Sequence, residues 1–196
     1  TLIAGQTAPI VAVDTNIDAP EVLSFVGTGN EDAAAEGGKA AVEAAKAAGW
    51  DKVQAIAISG VQGDGTATAR LTGYEKGVTE AGGEFLKDEI QYADAVADKA
   101  ATSMEAIMQN HPEGVAIIVC NNDDMALGAI NALVNAGYNL PGGEGCTVIP
   151  VFGVDATDAA KELIANKQMT GSIKQDAEGM ADAVATITAN LIAGKD

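Results

Sequence analysis

The chain has 196 residues, a length that suits one domain or two small ones, and 47% of its residues are hydrophobic, enough for a sizeable core. The formal net charge of −17 argues against a nucleic-acid or anionic-membrane surface, because both need clustered Lys and Arg. Two cysteines exclude a disulfide scaffold, and no apolar run approaches the roughly 20 residues of a membrane span.

Short apolar, β-branched runs alternate along the chain with Ala-rich amphipathic runs. The predicted strands are Pro9–Asp14, Val22–Gly27, Val53–Ser59, Glu84–Tyr92, Val115–Asn121, Thr147–Asp155 and Met169–Gln175. The predicted helices are Asp32–Ala48, Thr66–Ala81, Asp98–Gln109, Asp124–Ala136, Ala156–Asn166 and Ala177–Ala193. Several strands are continuously apolar, as expected when both faces of a parallel sheet are covered. The alternation therefore predicts an α/β fold, a doubly wound parallel sheet with right-handed crossovers.

Polar residues interrupt the apolar runs where the predicted strands end. They are Asp14, Ser59 with the following Gly-rich loop and Arg70, Asn121–Asp123, Asp155, and Lys174–Asp176. The carboxyl ends of the strands are the edge at which open α/β sheets bind ligands. Carboxylates accept hydrogen bonds from hydroxyls, Arg donates them, and Asn and Gln do both. The pattern therefore predicts a site for a neutral, polyol-like ligand.

An enzymatic reading has little support from the residue pattern. Cys120 as a nucleophile would need a base, and the only histidine, His111, precedes the same predicted strand and so lies at its opposite end. The acidic strand ends lack an accompanying phosphate-binding loop, so phosphoryl transfer with Mg²⁺ is not indicated. Cys120 and Cys146 are predicted to lie at opposite ends of neighbouring strands, and two buried free thiols are expected.

At these same residues the sequence resembles the sugar-binding proteins of bacterial ABC transporters, the ribose and galactose/glucose type of periplasmic binding protein. The resemblance rests on the order and spacing of six stretches along nearly the whole chain: Pro9–Asp14, Phe25–Asn30, Gly63–Tyr74, Cys120–Leu133, Ile149–Thr157 and Met169–Asp176. It implies the type 1 fold of that family, a two-lobed clamp that holds its ligand in the hinge cleft without a cofactor.

The resemblance also implies which residues contact the sugar. Asp14 ends a strand next to the ligand, and Arg70 grips hydroxyls or the ring oxygen. The later strand ends supply an amide, an acid and an amide: Asn122, Asp155 and Gln175. In galactose-type relatives a loop acid, matched here by Asp64, adds further polar contacts. No structural calcium is expected, because the turn Trp50–Val53 is too short to hold the calcium loop that some relatives carry.

Each of these residues also has a structural interpretation. Asp123 is predicted to cap the helix that begins at Asp124, which leaves Asn122 for the ligand. Asp155 is predicted either to contact ligand or to cap a helix beginning at Ala156, and one carboxylate can do both. Arg70 lies in the first turns of a helix, where a solvated side chain is the usual outcome.

Two departures from the family pattern stand out. The position of the sugar-stacking aromatic is occupied by Ala95, with Tyr92 nearby inside a predicted strand. Relatives also carry three further βα units before this point and a strand after it, so the chain is expected to be truncated. In the predicted organisation, residues 1–30 are a remnant of the N-terminal lobe with the first hinge crossing. Residues 31–171 form the C-terminal lobe, and residues 172–196 contain the second crossing and a helix of the N-terminal lobe.

The resemblance implies an exported protein, periplasmic or lipid-anchored outside the cell, that captures a monosaccharide or small polyol and delivers it to a membrane permease. Nucleic acid is not an expected partner, and the uncovered edges of an incomplete lobe make self-association possible. The alternative is the effector-binding core of a lac-repressor-type transcription regulator, which shares the fold and the Asn-Asp…Ala-x-Gly pattern. The acidic surface and the segment Val151–Ala156 favour the transport branch.

Overall fold

A computed structural model describes residues 3–195 of the chain. The strands, in chain order, are β1 Ile10–Val13, β2 Val22–Val26, β3 Gln54–Ser59, β4 Glu84–Phe85, β5 Gln91–Tyr92, β6 Ile117–Cys120, β7 Val151–Val154 and β8 Gly171–Ile173. The helices are α1 Asn30–Ala47, α2 Gly65–Glu80, α3 Ala97–Asn110, α4 Asp123–Asn135, α5 Asp158–Ala165 and α6 Ala177–Ile192. Among the helices so described, none combines the length and the apolar character that crossing a membrane requires.

Helices cover both faces of the larger sheet, which confirms the doubly wound α/β fold. Its strand order is β4-β3-β6-β7-β8, with β5 also paired to β3, and every pairing is parallel. One apolar cluster joins α1 and α2 to one face of the sheet, and a second joins α3, α4 and α5 to the other. The strand β6 is completely buried between the two clusters, as its unbroken apolar run IIVC predicts.

The chain separates into two compact units. The smaller comprises residues 1–29 and 175–196, and within it β1 and β2 form a two-stranded parallel sheet in contact with α6. The larger unit comprises residues 30–174 and contains the six-stranded sheet with α1 to α5. The backbone therefore passes from one unit to the other twice.

The predicted strand Glu84–Tyr92 is wrong as a single element. It is divided into β4 and β5 by a 3₁₀ turn at Lys87–Glu89, and both short strands pair with β3. Three consecutive charged residues explain the interruption, because a continuous strand would carry some of them toward the apolar face. In the turn, Lys87 forms an ion pair with Glu75 and Glu89 reaches His111 instead.

The sixth predicted strand, Thr147–Asp155, and the helix after it are shorter than the sequence pattern indicates. Thr147–Pro150 lies outside β7, and Pro150 lacks the N–H that a ladder position needs. The helix α5 begins at Asp158 because Thr157 is its N-cap, its hydroxyl accepting the N–H of Ala160 at 3.2 Å. A helical start at Ala156 is excluded by the positive φ of 53° at that residue.

The helices α1 and α2 pack so closely that their backbones touch, and glycine makes this possible. A Cβ atom at Gly73 would lie 2.1 Å from the carbonyl oxygen of Glu31, and one at Gly77 would lie 1.9 Å from that of Ala35. From the opposite helix, a Cβ at Gly38 would meet the carbonyl oxygen of Tyr74 at 2.8 Å. This glycine seam therefore fixes the position of α2, and of everything α2 carries, against α1.

We expect Gly77→Ala to lower the free energy of unfolding by about 2 kcal/mol or more, since the added methyl forces two helix backbones apart. Gly65→Ala is the matched control. It lies in the same helix with nothing within 4 Å of an added Cβ, and it should change stability by less than about 0.5 kcal/mol. Urea denaturation of both variants measures the difference, and equal stabilities would contradict the seam.

Candidate functional site

Arg70 is the only arginine in the sequence, and the structure holds it at the carboxyl end of the larger sheet. It is only 8% exposed, in contrast to the solvated side chain that its helical position alone would suggest. Its Nε donates to Oδ1 of Asn30 at 2.8 Å, and its Nη1 donates to the carbonyl oxygen of Asn121 at 2.6 Å. Nη2 bonds to nothing within residues 3–195 and is not sealed from solvent, so it remains able to donate to a ligand.

The helix that carries Arg70 is anchored at its start and along its buried face. Asp64 is its N-cap, with Oδ1 accepting the N–H of Ala67 at 2.8 Å. One turn beyond Arg70, the hydroxyl of Tyr74 shares its one proton between the carbonyl oxygens of Cys120 and Gly153, at 3.3 and 3.4 Å. Complete burial of Tyr74 raises the pKa of its phenol, so the hydroxyl stays protonated as a donor. These contacts connect α2 to the ends of β6 and β7.

Two buried polar side chains lie at the same edge of the sheet as Arg70; the sequence analysis noted both at strand ends but did not include them among the six ligand contacts. Ser59 and Asn121 are neighbours across β3 and β6, one position beyond the paired residues Ile58 and Cys120. The Nδ2 of Asn121 donates to the carbonyl oxygen of Ala67 at 3.0 Å, whereas its Oδ1 and the Oγ of Ser59 have no partner within residues 3–195. The sequence feature that identifies both residues is a polar side chain directly after an apolar strand, which the six predicted contacts at strand ends also show in part.

The capping of α4 is the reverse of the sequence prediction. Asn122 is the N-cap, its Oδ1 accepting the N–H of Met125 at 2.9 Å, and Asp123 is the first helical residue. The cap uses only the amide oxygen of Asn122, and its Nδ2 makes no bond within residues 3–195. A capping role and a ligand contact are therefore compatible in this residue.

Asp123 serves instead as a buried connection between α4 and the chain beyond β7. It is 2% exposed, and its two oxygens accept different donors: Oδ2 the N–H of Thr157 at 2.8 Å, and Oδ1 the hydroxyl of Ser172 at 2.6 Å. The same hydroxyl accepts the N–H of Ala156 at 2.9 Å. A carboxylate at a helix start is also stabilised by the helix dipole. Gly153 is required beside it, because a Cβ there would lie within 2.4 Å of Oδ1.

Asp155 lies in the loop that this network holds, and it does not cap α5. Its φ is 116°, and the next residue, Ala156, also has a positive φ, so two consecutive non-glycine residues occupy a rarely populated backbone region. The N–H of Asp155 donates to the carbonyl oxygen of Ile173 at 2.8 Å, which keeps the residue at the end of β7 beside β8. Its carboxylate is thereby carried by a backbone that β7, β8 and the start of α4 hold in place.

The predicted set is divided between the two units. The larger unit contains Asp64, Arg70, Asn122 and Asp155, which all follow the carboxyl ends of β3, β6 or β7. Asp14 belongs to the smaller unit, exposed at the end of β1 with φ 64°. Gln175 belongs to it as well, and its Oε1 accepts the hydroxyl of Thr28 at 2.8 Å.

The two cysteines are free, but only one is buried. Cys120 is completely enclosed, and burial raises the pKa of its thiol well above the usual range, so it is a poor nucleophile. Cys146 is partly exposed, contrary to prediction, because its segment precedes β7 as a loop, where its Sγ accepts the N–H of Leu140. His111 ends α3, and its ring contacts Glu89 at 2.5 Å.

Metal binding has no evident place in the part of the chain that the structure describes. Within it, no group of three or more His, Cys, Asp or Glu side chains is arranged to hold an ion. The position expected for a stacking aromatic, Ala95, has a positive φ, and Tyr92 ends β5 with 41% of its surface exposed.

Comparison with known sequences gives one family for this architecture. The family model described as "Periplasmic binding protein domain" matches residues 3–196. The ribose import binding protein of Escherichia coli is 29% identical over 168 residues, which are 85% of this chain and 51% of that protein. The galactose/methyl-galactoside binding periplasmic protein of Haemophilus influenzae is 28% identical over 148 residues, 74% of this chain and 41% of that protein.

Solved structures support the fold. An ABC transporter periplasmic solute binding protein from Actinobacillus succinogenes, determined with bound D-allose, aligns with a TM-score of 0.82 at 23% identity. The alignment covers 97% of this chain and 64% of that one. The chain thus spans about half the length of the curated relatives it matches.

We expect Asp123→Asn to lower the free energy of unfolding by about 1–3 kcal/mol. One carboxylate oxygen is replaced by an NH2 group, which then faces the donor group of Thr157 or Ser172 and cannot accept its hydrogen bond. The adjacent Asp124→Asn is the matched control. That residue is exposed in the same first helical turn and should cost less than about 0.5 kcal/mol. Urea denaturation distinguishes the two, and equal losses would show that Asp123 acts only through the helix dipole.

Proposed function

The chain belongs to the periplasmic binding protein family, and we propose on that basis that it captures a monosaccharide or similar small polyol outside the cytoplasm for delivery to an ABC permease. The observation that carries the proposal is the guanidinium of Arg70. Two protein acceptors hold it rigidly at the ligand-binding edge of the sheet, and Nη2 is left to donate. A preoriented planar donor of this kind suits the hydroxyl and ring oxygens of a sugar.

The neighbouring groups supply the complementary chemistry. We assign the carboxylate of Asp155 as an acceptor of sugar hydroxyls and Nδ2 of Asn122 as a second donor. Asp64 offers the carboxylate oxygen that its cap leaves unused. The donors and acceptors are attached to strand ends and helix starts, which move little, and such rigid attachment lowers the entropic cost of binding.

Asp14 and Gln175 complete the proposed ligand set from the smaller unit. The two backbone crossings, at residues 29–30 and 174–175, are where we place the hinge. Sugar bound to the larger unit recruits these two residues through new hydrogen bonds, and the closed form is what the permease recognises. In this scheme residues 30–174 act as one lobe, and residues 1–29 and 175–196 contribute to the other; these bounds replace the 31–171 expected from the sequence.

This mechanism makes and breaks no covalent bond, and we therefore propose a binding protein rather than an enzyme. The state of the candidate nucleophile supports this view, since the Cys120 thiol is enclosed and its pKa is raised by burial. The relatives named above are import and periplasmic binding proteins by name. We place the protein in the periplasm or on the outer cell surface.

The sugar proposal predicts that one member of a monosaccharide panel raises the melting temperature, and that Arg70→Lys weakens its affinity about tenfold or more. Lysine keeps the charge but loses the planar fork that reaches Asn30 and Asn121 together with the ligand. Calorimetric titration measures the change. Lys76→Met, an exposed change on the same helix, should leave the affinity unaltered, and an unchanged affinity in Arg70→Lys would refute the assignment.

We also propose that this chain associates with itself through the smaller unit, where Leu23 is 61% exposed, Phe25 37% and Ile192 83%. Leu23 and Phe25 lie on the same face of β2, so they form a joint apolar surface. Light scattering after size exclusion is expected to show a mass above 19.7 kDa that Leu23→Asp reduces to the monomer value. Val61→Asp, at an exposed apolar residue of the larger unit, should leave the mass unchanged, and a monomeric parent chain would contradict the proposal.

A further inference from the structure

The larger unit contains a cavity far from Arg70. Its volume is about 340 Å³, within the range of small-molecule sites. It lies between the carboxyl ends of α3 and α4, and Val115 and Ile149 line it just before β6 and β7 begin. Arg70 contacts Asn121 at the other end of β6, and a rise of about 3.3 Å per residue places the two sites on the order of 20 Å apart.

Part of the wall of this cavity is apolar and adaptable. Met104 and Met108 lie one helical turn apart on α3, and Tyr138 and Ile149 complete the lining from the other side. Thioether side chains fit varied apolar shapes, and the face of a tyrosine ring attracts cations. The walls therefore suit a hydrocarbon body and tolerate a positive charge next to it.

The electrostatics of the cavity are those of a helix carboxyl end without its usual compensation. Pro112 has no N–H to offer the carbonyl of Met108, and within residues 3–195 no hydrogen bond reaches the carbonyl oxygens of Met108 or Gln109. The last turns of α3 and α4 carry no basic residue, although the dipole favours one there.

The charged side chains around the cavity add to this negative character. Glu105 belongs to the lining, and the lining includes neither lysine nor arginine. The ring of His111 is paired with Glu89, so that pair contributes no net positive charge in either protonation state of the histidine. An anionic ligand would be repelled, and a cation is favoured over a neutral ligand because the helix carboxyl ends and Glu105 attract positive charge.

We propose that this cavity binds a small organic cation, a primary ammonium group attached to an apolar body. The ammonium donates to the carbonyl oxygens at the end of α3, and the hydrocarbon part packs against Met104, Met108 and Tyr138. This site is separate from the proposed sugar site, shares no residue with it, and does not depend on its ligand.

The test is a titration of the ¹⁵N-labelled chain with phenethylammonium and, separately, with its neutral counterpart 2-phenylethanol. The cation is expected to shift the amide signals of Gly114, Val115 and Tyr138 and to bind about tenfold more tightly than the alcohol. Glu105→Gln is expected to weaken cation binding several-fold, with Glu43→Gln, an exposed change on α1, as the matched control. Tyr138→Leu keeps an apolar, though smaller, side chain and should remove the preference for the cation that comes from the aromatic face.

The proposal is overturned if the alcohol binds as tightly as the cation, if the shifts map to the residues around Arg70, or if Glu43→Gln weakens binding as much as Glu105→Gln does. A sugar response in the same sample tests the first site only. Loss of that response with retained cation binding would count against the proposed function and leave this inference standing.

Discussion

Backbone contact between α1 and α2 is the constraint on which the candidate site depends. Gly73 and Gly77 let the two helices approach until a methyl group no longer fits between them. That approach brings Asn30, at the start of α1, within hydrogen-bond distance of Arg70 on α2. Because a close-packed interior does not deform continuously, the guanidinium has essentially one position available. The orientation of a polar binding group is thus determined by close helix packing one to two turns further along the same helix.

The edge of the sheet is completed by a second set of contacts, centred on Asp123. Its carboxylate satisfies donors from the loop before α5 and from β8, and so holds two left-handed residues in place beside the end of β7. Strain in a backbone persists only where surrounding contacts over-determine it. The conformation of the segment that carries the proposed acceptor, Asp155, is therefore determined by contacts with neighbouring elements more than by its own sequence.

The sequence pattern predicted the layer order, the parallel sheet and the edge at which polar residues gather, since these follow from strand burial and from the alternation of strands with helices. It could not predict which of Asn122 and Asp123 caps α4, because both residue types cap well and only the partners Thr157 and Ser172 decide between them. It also missed Asn30, whose role depends on a contact with Arg70, 40 residues away in sequence. The division of Glu84–Tyr92 was missed as well, because it depends on the solvent exposure and ion pairs of three charged side chains.

That division of the edge strand has a consequence for how the protein avoids aggregation. A long unpaired strand at the side of a sheet is a template on which other chains can add. Here the edge next to β3 offers only two-residue segments separated by a charged turn, and the opposite edge is the three-residue β8. Neither presents enough continuous backbone for a foreign strand to pair with. The larger sheet is in this way protected against edge-to-edge growth by the same charges that break the regularity of its sequence.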